Sequence, residues 1–258
     1  MTWDPQQYAR YTDERSRPFF ELTARIDVAS PHRVVDLGCG PGPLTASLAE
    51  RWPEATVIGV DDSVDMIRAA GEHSVAGRIE FVQASIADWQ PAEPVDVVVA
   101  NAALQWVPGH INLLGRFAGW LEDGGALAFQ VPDNFTEPSH TLLRDLRVSP
   151  RWRAKVGAGA DRTVGVERPE RYLAGLVAAG LAPDVWQTSY IHILYGDDPV
   201  LEWVKGTALR PVLSLLDAND CEKFVDEYAQ LLREAYPAEP WGGTLFPFRR
   251  TFAVGHKH

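Results

Sequence analysis

Between the apolar run Arg33-Val34-Val35-Asp36-Leu37 and the helical pattern Leu44–Arg51, the chain carries the turn Gly38-Cys39-Gly40-Pro41-Gly42-Pro43. Glycines at such a junction permit positive φ and let a ligand approach the backbone closely. The alternation begun there continues along the chain. Thr56-Val57-Ile58-Gly59-Val60 reads as a second strand, and Ser63 can cap the helix that carries Met66, Ile67 and Ala70. Ile79–Val82, Val95–Ala100 and Ala126–Val131 read as further strands. A helix over Arg171–Ala179, a long strand over Val185–Tyr195, helices over Asp198–Lys205 and Asp220–Glu234, and a last strand over Phe246–Val254 follow. Short apolar strands separated by helices predict an α/β fold, a mostly parallel sheet of seven strands with helices on both faces. Such a sheet binds ligands beyond the carboxyl ends of its strands, where the strand order switches.

The 258 residues are expected to form one domain. Residues 1–30 supply an N-terminal lid helix, with a helical pattern over 5–28, and residues 31–131 form the ligand-binding core. Residues 132–168, with a helix near Ser139–Arg147, and residues 197–236 are read as insertions that build a helical cap. No stretch approaches the roughly 18 apolar residues that cross a bilayer. Met1-Thr2-Trp3-Asp4-Pro5 lacks the layout of a signal peptide, so a cytoplasmic protein without membrane attachment is expected. The net charge of −11 weighs against nucleic acid as a partner, yet a few local arginines can still hold a small anion. Cys39 and Cys221 form no CxxC or Cys/His cluster, which points to neither a disulfide framework nor a metal site. Nothing in the sequence calls for an obligate protein partner.

The glycine turn discriminates between nucleotide ligands. A dinucleotide site asks for G-x-G-x-x-G, and counting from Gly38 the last glycine falls on Pro43. Pro41 and Pro43 also remove two amide donors that a pyrophosphate would use, whereas Pro43 suits a first helical position. A phosphate-free ligand such as S-adenosylmethionine fits better. Asp61, after the second strand, can accept from both hydroxyls of a ribose, or can simply open the following helix.

Val35-Asp36-Leu37-Gly38-Cys39-Gly40-Pro41-Gly42 resembles the first motif of class I methyltransferases, and Gly59-Val60-Asp61-Asp62-Ser63 resembles their second-strand acid motif. Gln83-Ala84-Ser85-Ile86-Ala87-Asp88-Trp89 falls where that family places its adenine loop, with Ser85 standing where many members carry an acid. More specific segments are similar to the trans-aconitate methyltransferases. These are Asn101-Ala102-Ala103-Leu104-Gln105-Trp106-Val107-Pro108, Gln130-Val131-Pro132-Asp133-Asn134 and Glu137-Pro138-Ser139-His140. Trp3, Pro5 and Tyr8 with Glu14-Arg15-Ser16-Arg17-Pro18, Leu209-Arg210-Pro211, and Phe246-Pro247 with Arg249 extend the likeness nearly end to end. The resemblance implies a Rossmann-like fold, S-adenosylmethionine as cofactor and a small tricarboxylic acid as substrate. It also implies cofactor contacts at Asp36, Gly38, Cys39, Gly40, Gly42, Asp61, Asp62, Met66, Ser85, Ile86 and Asn101.

Methyl transfer to a carboxylate needs no general base, because an acid of ordinary pKa near ~4 is already ionised at neutral pH. No catalytic base is therefore expected. Arginines suit the carboxylates that do not react, since a guanidinium clamped on the reacting oxygen would hold back its electrons; weaker donors suit the reacting one. Candidate substrate contacts are Tyr8, Arg15, Arg17, Gln105, Trp106, Asn134, His140 and Arg210. Plainer alternatives stand beside them: a solvated arginine, a packed Trp106 or Tyr8, a turn at Asn134 and a structural His140; Arg249, in a strand pattern, is at least as well read as a structural pairing. Cys39 reads as a small filler in the turn. Rival functions are methylation of another small metabolite, a non-catalytic cofactor-binding module, and an NAD oxidoreductase, the last disfavoured by Pro43.

Overall fold

The computed structural model describes residues 12–156, 165–206 and 208–258, with side chains from Ser16 onward. Its elements run α1 (Thr12–Thr23), β1 (Arg33–Leu37), α2 (Pro43–Arg51), β2 (Thr56–Asp61), α3 (Val64–Ala70), β3 (Ile79–Gln83), β4 (Val95–Asn101) and α4 (Leu114–Gly119). There follow β5 (Leu121–Pro132), α5 (Pro138–Val148), α6 (Arg153–Val156), α7 (Pro169–Ala178), β6 (Leu181–Leu194), α8 (Pro199–Lys205), α9 (Arg210–Leu213), α10 (Ala218–Ala235) and β7 (Thr244–Lys257). Two compact units emerge. Among the described residues the first holds 12–132, 165–188 and 250–258, and the second holds 133–156, 189–206 and 208–249. The proposed insertions at 132–168 and 197–236 fall in the second unit, apart from the residues at 132 and 165–168.

The sheet has seven strands in the order β3-β2-β1-β4-β5-β7-β6. Strands β1 to β5 pair in parallel, and β7 runs antiparallel to β5. This is the expected mostly parallel sheet. Val34 and Val35 of β1 and Val97 to Ala100 of β4 are fully buried. Continuous apolar runs of this kind belong to central strands covered on both faces. After β3 the chain crosses back to pair β4 with β1, so the strand order switches between β1 and β4. The loops leaving these two strands meet. A Cβ added to Gly38, at φ +78°, would lie 2.3 Å from Ala103 Cβ, so only glycine allows the approach.

The sequence reading missed α4. Leu114-Gly115-Arg116-Phe117-Ala118-Gly119 carries two glycines, poor helix formers, and lacks a side-chain cap. Burial of Leu114, Phe117 and Ala118, together with the crossover that parallel β4 and β5 require, outweighs that local preference. Strand β5 starts five residues before the expected Ala126. Its Glu122-Asp123-Gly124-Gly125 stretch looks like a turn but joins the strand through a register shift opposite Val95 and Val97. The short helices α6 and α9 were also not anticipated.

In the second unit, α5 lies against α10. The Tyr228 hydroxyl donates to the Ser139 carbonyl, and Ser139 N donates to the Tyr236 hydroxyl at 3.0 Å. Trp152 meets Phe224 edge-on at 5.1 Å. Among the described residues no helix is long and apolar enough to cross a membrane.

Candidate active site

The glycine turn spends its own amides. Gly38 N and Cys39 N donate to Val60 O at 2.7 and 3.1 Å, Gly40 N to Asp61 Oδ2 at 3.0 Å, and Gly42 N to Cys39 O at 3.4 Å. Pro41 and Pro43 have no N–H. No amide from 38 to 43 is left to hold a pyrophosphate, which removes the chemistry of a dinucleotide site. Pro43 opens α2, as its fixed φ favours.

Two carboxylates flank the turn. Asp36 is 2% exposed; Thr45 Oγ1 donates to its Oδ2 at 2.6 Å, while Oδ1 is buried with no hydrogen-bond partner among the described residues. Burial pushes its pKa up to about 6, the Thr45 bond opposes that rise, and the neighbouring Asp61 charge adds to it. Asp61 accepts from Gly40 N through one oxygen and from Ser63 N at 2.9 Å through the other. Burial raises its pKa as well, with these two amides working in the opposite direction. Each Asp61 oxygen keeps a further lone pair for a ligand hydroxyl. An orphaned buried carboxylate oxygen beside a spent turn suits a ligand that brings cationic and hydroxyl groups, as S-adenosylmethionine does with its ammonium, sulfonium and ribose. Asp61 thereby ties down the turn, a task that its sequence position did not reveal.

Beyond β2, Ser63 accepts from Met66 N at 3.4 Å and caps α3, leaving Met66 buried and Asp62 exposed. Ser85 closes the turn after β3: its Oγ accepts from Ala87 N at 3.1 Å, and its carbonyl accepts from Asp88 N and Trp89 N. Arg116 on α4 holds the same turn, donating to Ile86 O at 2.8 Å and Ala87 O at 2.5 Å. Its guanidinium lies over Trp120 and Phe117 at 5.5 and 5.6 Å. Arg116 escaped sequence reasoning because α4 did, and an arginine on an unrecognised helix carries no signal of its own.

Past β4, Ala102 sits at φ +51°, a left-handed conformation that costs a residue with a Cβ and is found at functional turns. Gln105 is buried and donates to Ala102 O at 2.6 Å. Trp106 is 39% exposed. Asn101 is half-buried, and its Oδ1 accepts from Gln130 Nε2 at 2.7 Å.

The remaining candidates fall in both units. In the first unit Arg17 pairs with Glu21 at 2.7 Å on the exposed face of α1. Tyr8 and the Arg15 side chain lie outside the described residues. In the second unit Asn134 is buried and accepts through its carbonyl from Glu137 N at 3.0 Å, as a turn residue does. His140 contacts Ser139 Oγ at 3.2 Å and the edge of Phe135, and burial lowers its pKa to about 4. Arg210 begins α9. Arg249 donates to Asp133 O at 3.1 Å and sits 3.3 Å from the Asp133 carboxylate, which is the structural pairing weighed for it. Burial and the nearby Asp36 and Asp61 charges push the Cys39 thiol far above its ordinary pKa; it stays protonated, which suits a filler and not a nucleophile. No metal-binding cluster occurs among the described residues.

Strand order, switch point and glycine turn together define a class I methyltransferase domain. A methyltransferase-domain family model matches residues 8–174. The chain is 51% identical to the trans-aconitate 2-methyltransferase of Streptomyces avermitilis, covering 99% of this chain and 97% of that one. It is 50% identical to the Rhodococcus jostii protein of the same name, covering 98% of each. Among solved structures, YcgJ from Bacillus subtilis is 18% identical with a TM-score of 0.61, over 95% of this chain and 99% of that one. Geranyl diphosphate C-methyltransferase from Streptomyces coelicolor is 15% identical with a TM-score of 0.56, over 98% and 83%. These two likenesses concern the fold. The chain belongs to the trans-aconitate 2-methyltransferase family.

Proposed function

We propose that this chain transfers a methyl group from S-adenosylmethionine to a carboxylate of trans-aconitate, giving a monomethyl ester and S-adenosylhomocysteine. The observation that carries the substrate assignment is the near-full-length likeness, at about half identity, to relatives that bear this activity in their name. S-adenosylmethionine, when bound, supplies an electrophilic methyl on a sulfonium. Asp61 accepts from the ribose hydroxyls, and Asp36 offers Oδ1, which no other described residue binds, to the ligand's cationic end. Gly38, Cys39, Gly40 and Gly42 form the floor, Asp62, Met66, Ser85 and Ile86 border the nucleoside, and Asn101 stands at the end of β4.

No protein base is assigned. The nucleophile is already an anion, and His140, with its pKa near 4, is neutral at physiological pH. Excluding water and aligning the reacting atoms at about 3–3.5 Å supply the acceleration. Arg17 and Arg210, with Arg15, are assigned to the non-reacting carboxylates. Tyr8, Gln105, Trp106, Asn134 and His140 complete the substrate set. The chain is read as one methyltransferase domain, residues 1–258, with a lid helix in 1–30, a core in 31–131 and cap insertions at 132–168 and 197–236. It acts on a small tricarboxylic acid in the cytoplasm, with no nucleic-acid, membrane or obligate protein partner.

The test is turnover of labelled S-adenosylmethionine against trans-aconitate, cis-aconitate, citrate, isocitrate and catechol. The reading expects the highest kcat/KM with trans-aconitate. A clear preference for catechol would replace the substrate class, and turnover of none would favour a non-catalytic binding module.

A further inference from the structure

Gln130 is an amide in the otherwise apolar run Ala126–Val131 of β5, and it is fully buried. It pairs in register with Asn101 of β4. Its Nε2 donates to Asn101 Oδ1 at 2.7 Å, and its Oε1 accepts from Arg250 Nη1 at 3.2 Å. Arg250 lies on β7 opposite Pro132 and is 4% exposed. All three residues belong to the first unit.

The polarity of this row is fixed by chemistry. A guanidinium only donates. Arg250 therefore faces the oxygen of Gln130, which turns the Gln130 amino group toward Asn101. Asn101 must answer with its oxygen, so its own amino group points out of the row. No described residue accepts from that Nδ2. Asn101 ends β4 at the switch point, beside Ala102 at positive φ and the loop that rests on Gly38.

We propose that Arg250 and Gln130 are positioning residues that hold the Asn101 amide as a donor to a ligand carboxylate at the end of β4. The carboxylate comes either from the methionine end of the cofactor or from the acid being methylated. A neutral amide suits both, because it orients an anion without taking the electron density that a guanidinium would withdraw. This inference rests on the reading of the site as one for S-adenosylmethionine and a carboxylic acid.

Two variants test it. Gln130→Glu keeps the acceptor for Arg250 but cannot donate to Asn101, so the Asn101 amide must turn its amino group inward and its oxygen outward. Asn101→Asp keeps the Gln130 bond and presents a carboxylate oxygen outward. Each variant is checked for folding by its melting temperature, then measured by calorimetry with S-adenosylhomocysteine and by KM for trans-aconitate at saturating cofactor. A loss of roughly tenfold or more is expected, the scale of a lost charge-assisted hydrogen bond. Loss in the calorimetric arm assigns the carboxylate to the cofactor, and loss confined to KM assigns it to the substrate. Asn101→Asp should also regain kcat/KM as pH falls, because a ligand carboxylate facing the introduced carboxyl raises its pKa and the protonated form can donate again. A residue serving only the fold would give no such recovery. Folded variants within about twofold of wild type in both arms would overturn the proposal, as would an Asn101→Asp profile parallel to that of wild type. If Gln130→Glu fails to fold, Asn101→Asp, a change at a half-buried residue, decides alone. Wild-type protein that binds S-adenosylhomocysteine but leaves trans-aconitate unmethylated refutes the substrate reading. The calorimetric arm then decides the positioning claim, which an unchanged affinity would overturn.

Discussion

Replacing Asp36 by asparagine should change the pH dependence of stability more than stability itself. The carboxyl is 2% exposed, one oxygen lacks a partner among the described residues, and its pKa is lifted from the ordinary 3.8 to about 6. Each pKa unit corresponds to about 1.4 kcal/mol, so ionised Asp36 costs the cofactor-free fold roughly 3 kcal/mol at neutral pH. The sign follows from proton counting. Below about pH 4 the group is protonated in the folded and unfolded states and imposes no cost. Between about pH 4 and 6 the folded protein keeps a proton that the unfolded chain releases, so stability falls as pH rises. Above about pH 6 the full cost remains. The side-chain amide introduced by Asp36→Asn cannot ionise; its weaker bond to Thr45 and its buried amino group add a cost that does not vary with pH. Urea unfolding of both proteins without cofactor, at about pH 4.5, 6 and 7.5, should show the variant gaining on wild type by roughly 2–3 kcal/mol across the series. The same variant should bind S-adenosylmethionine more weakly, having lost the negative partner of its cationic end. A stability difference constant with pH to within about 0.5 kcal/mol would show that Asp36 is not a strained carboxylate, and the argument for its role would fail.

Arg116→Met should keep much of the packing on Trp120 while releasing the carbonyls of Ile86 and Ala87. S-adenosylhomocysteine affinity measured by calorimetry should drop about five- to tenfold with kcat less affected, and unchanged affinity would show that the Ser85–Trp89 turn needs no brace. The rate of the chemical step in single turnovers should stay nearly flat over roughly pH 6–9, and His140→Ala should lower it only modestly, because a group with a pKa near 4 has finished titrating below that range. A step near neutrality that vanishes in His140→Ala would restore proton chemistry to this residue. Arg17→Ala and Arg210→Ala should each reduce kcat/KM for trans-aconitate by tenfold or more, by the scale of an arginine removed from a desolvated carboxylate. Calorimetric affinity for S-adenosylhomocysteine should hardly move; loss of it would reassign these arginines to the fold or the cofactor.

Much of this molecule could be read from order along the chain, and what escaped depends on distance in space. Strand β1 was placed residue for residue, since a short apolar run ending in a glycine turn has few alternatives. Ser63 announced itself as a cap because a serine before a helical pattern has a local task. The rejection of a dinucleotide needed only the two prolines, and the structure strengthened it by showing where the other turn amides go. Helix α4 was invisible because its two glycines speak against it locally, while the crossover and the burial of Leu114 and Phe117 decide in its favour. Arg116 was lost with it. Gln130 left a trace, an amide inside an apolar strand, but its partners come from residues 29 positions before and 120 after. Exposure divided two neighbours that looked alike in sequence: Gln105 is buried under its own turn, while Trp106 stands 39% exposed.

Esterification leaves the methyl group on a carboxylate oxygen. Product made from methyl-labelled S-adenosylmethionine and trans-aconitate should be isolated, weighed by mass spectrometry as a monomethyl derivative, and then treated with mild alkali. An ester surrenders its label as methanol and returns trans-aconitate, whereas a methyl group on carbon or in an ether stays attached. Complete release of label as methanol is expected, with S-adenosylhomocysteine formed in equal amount. Label that survives alkali on a monomethylated product would contradict it.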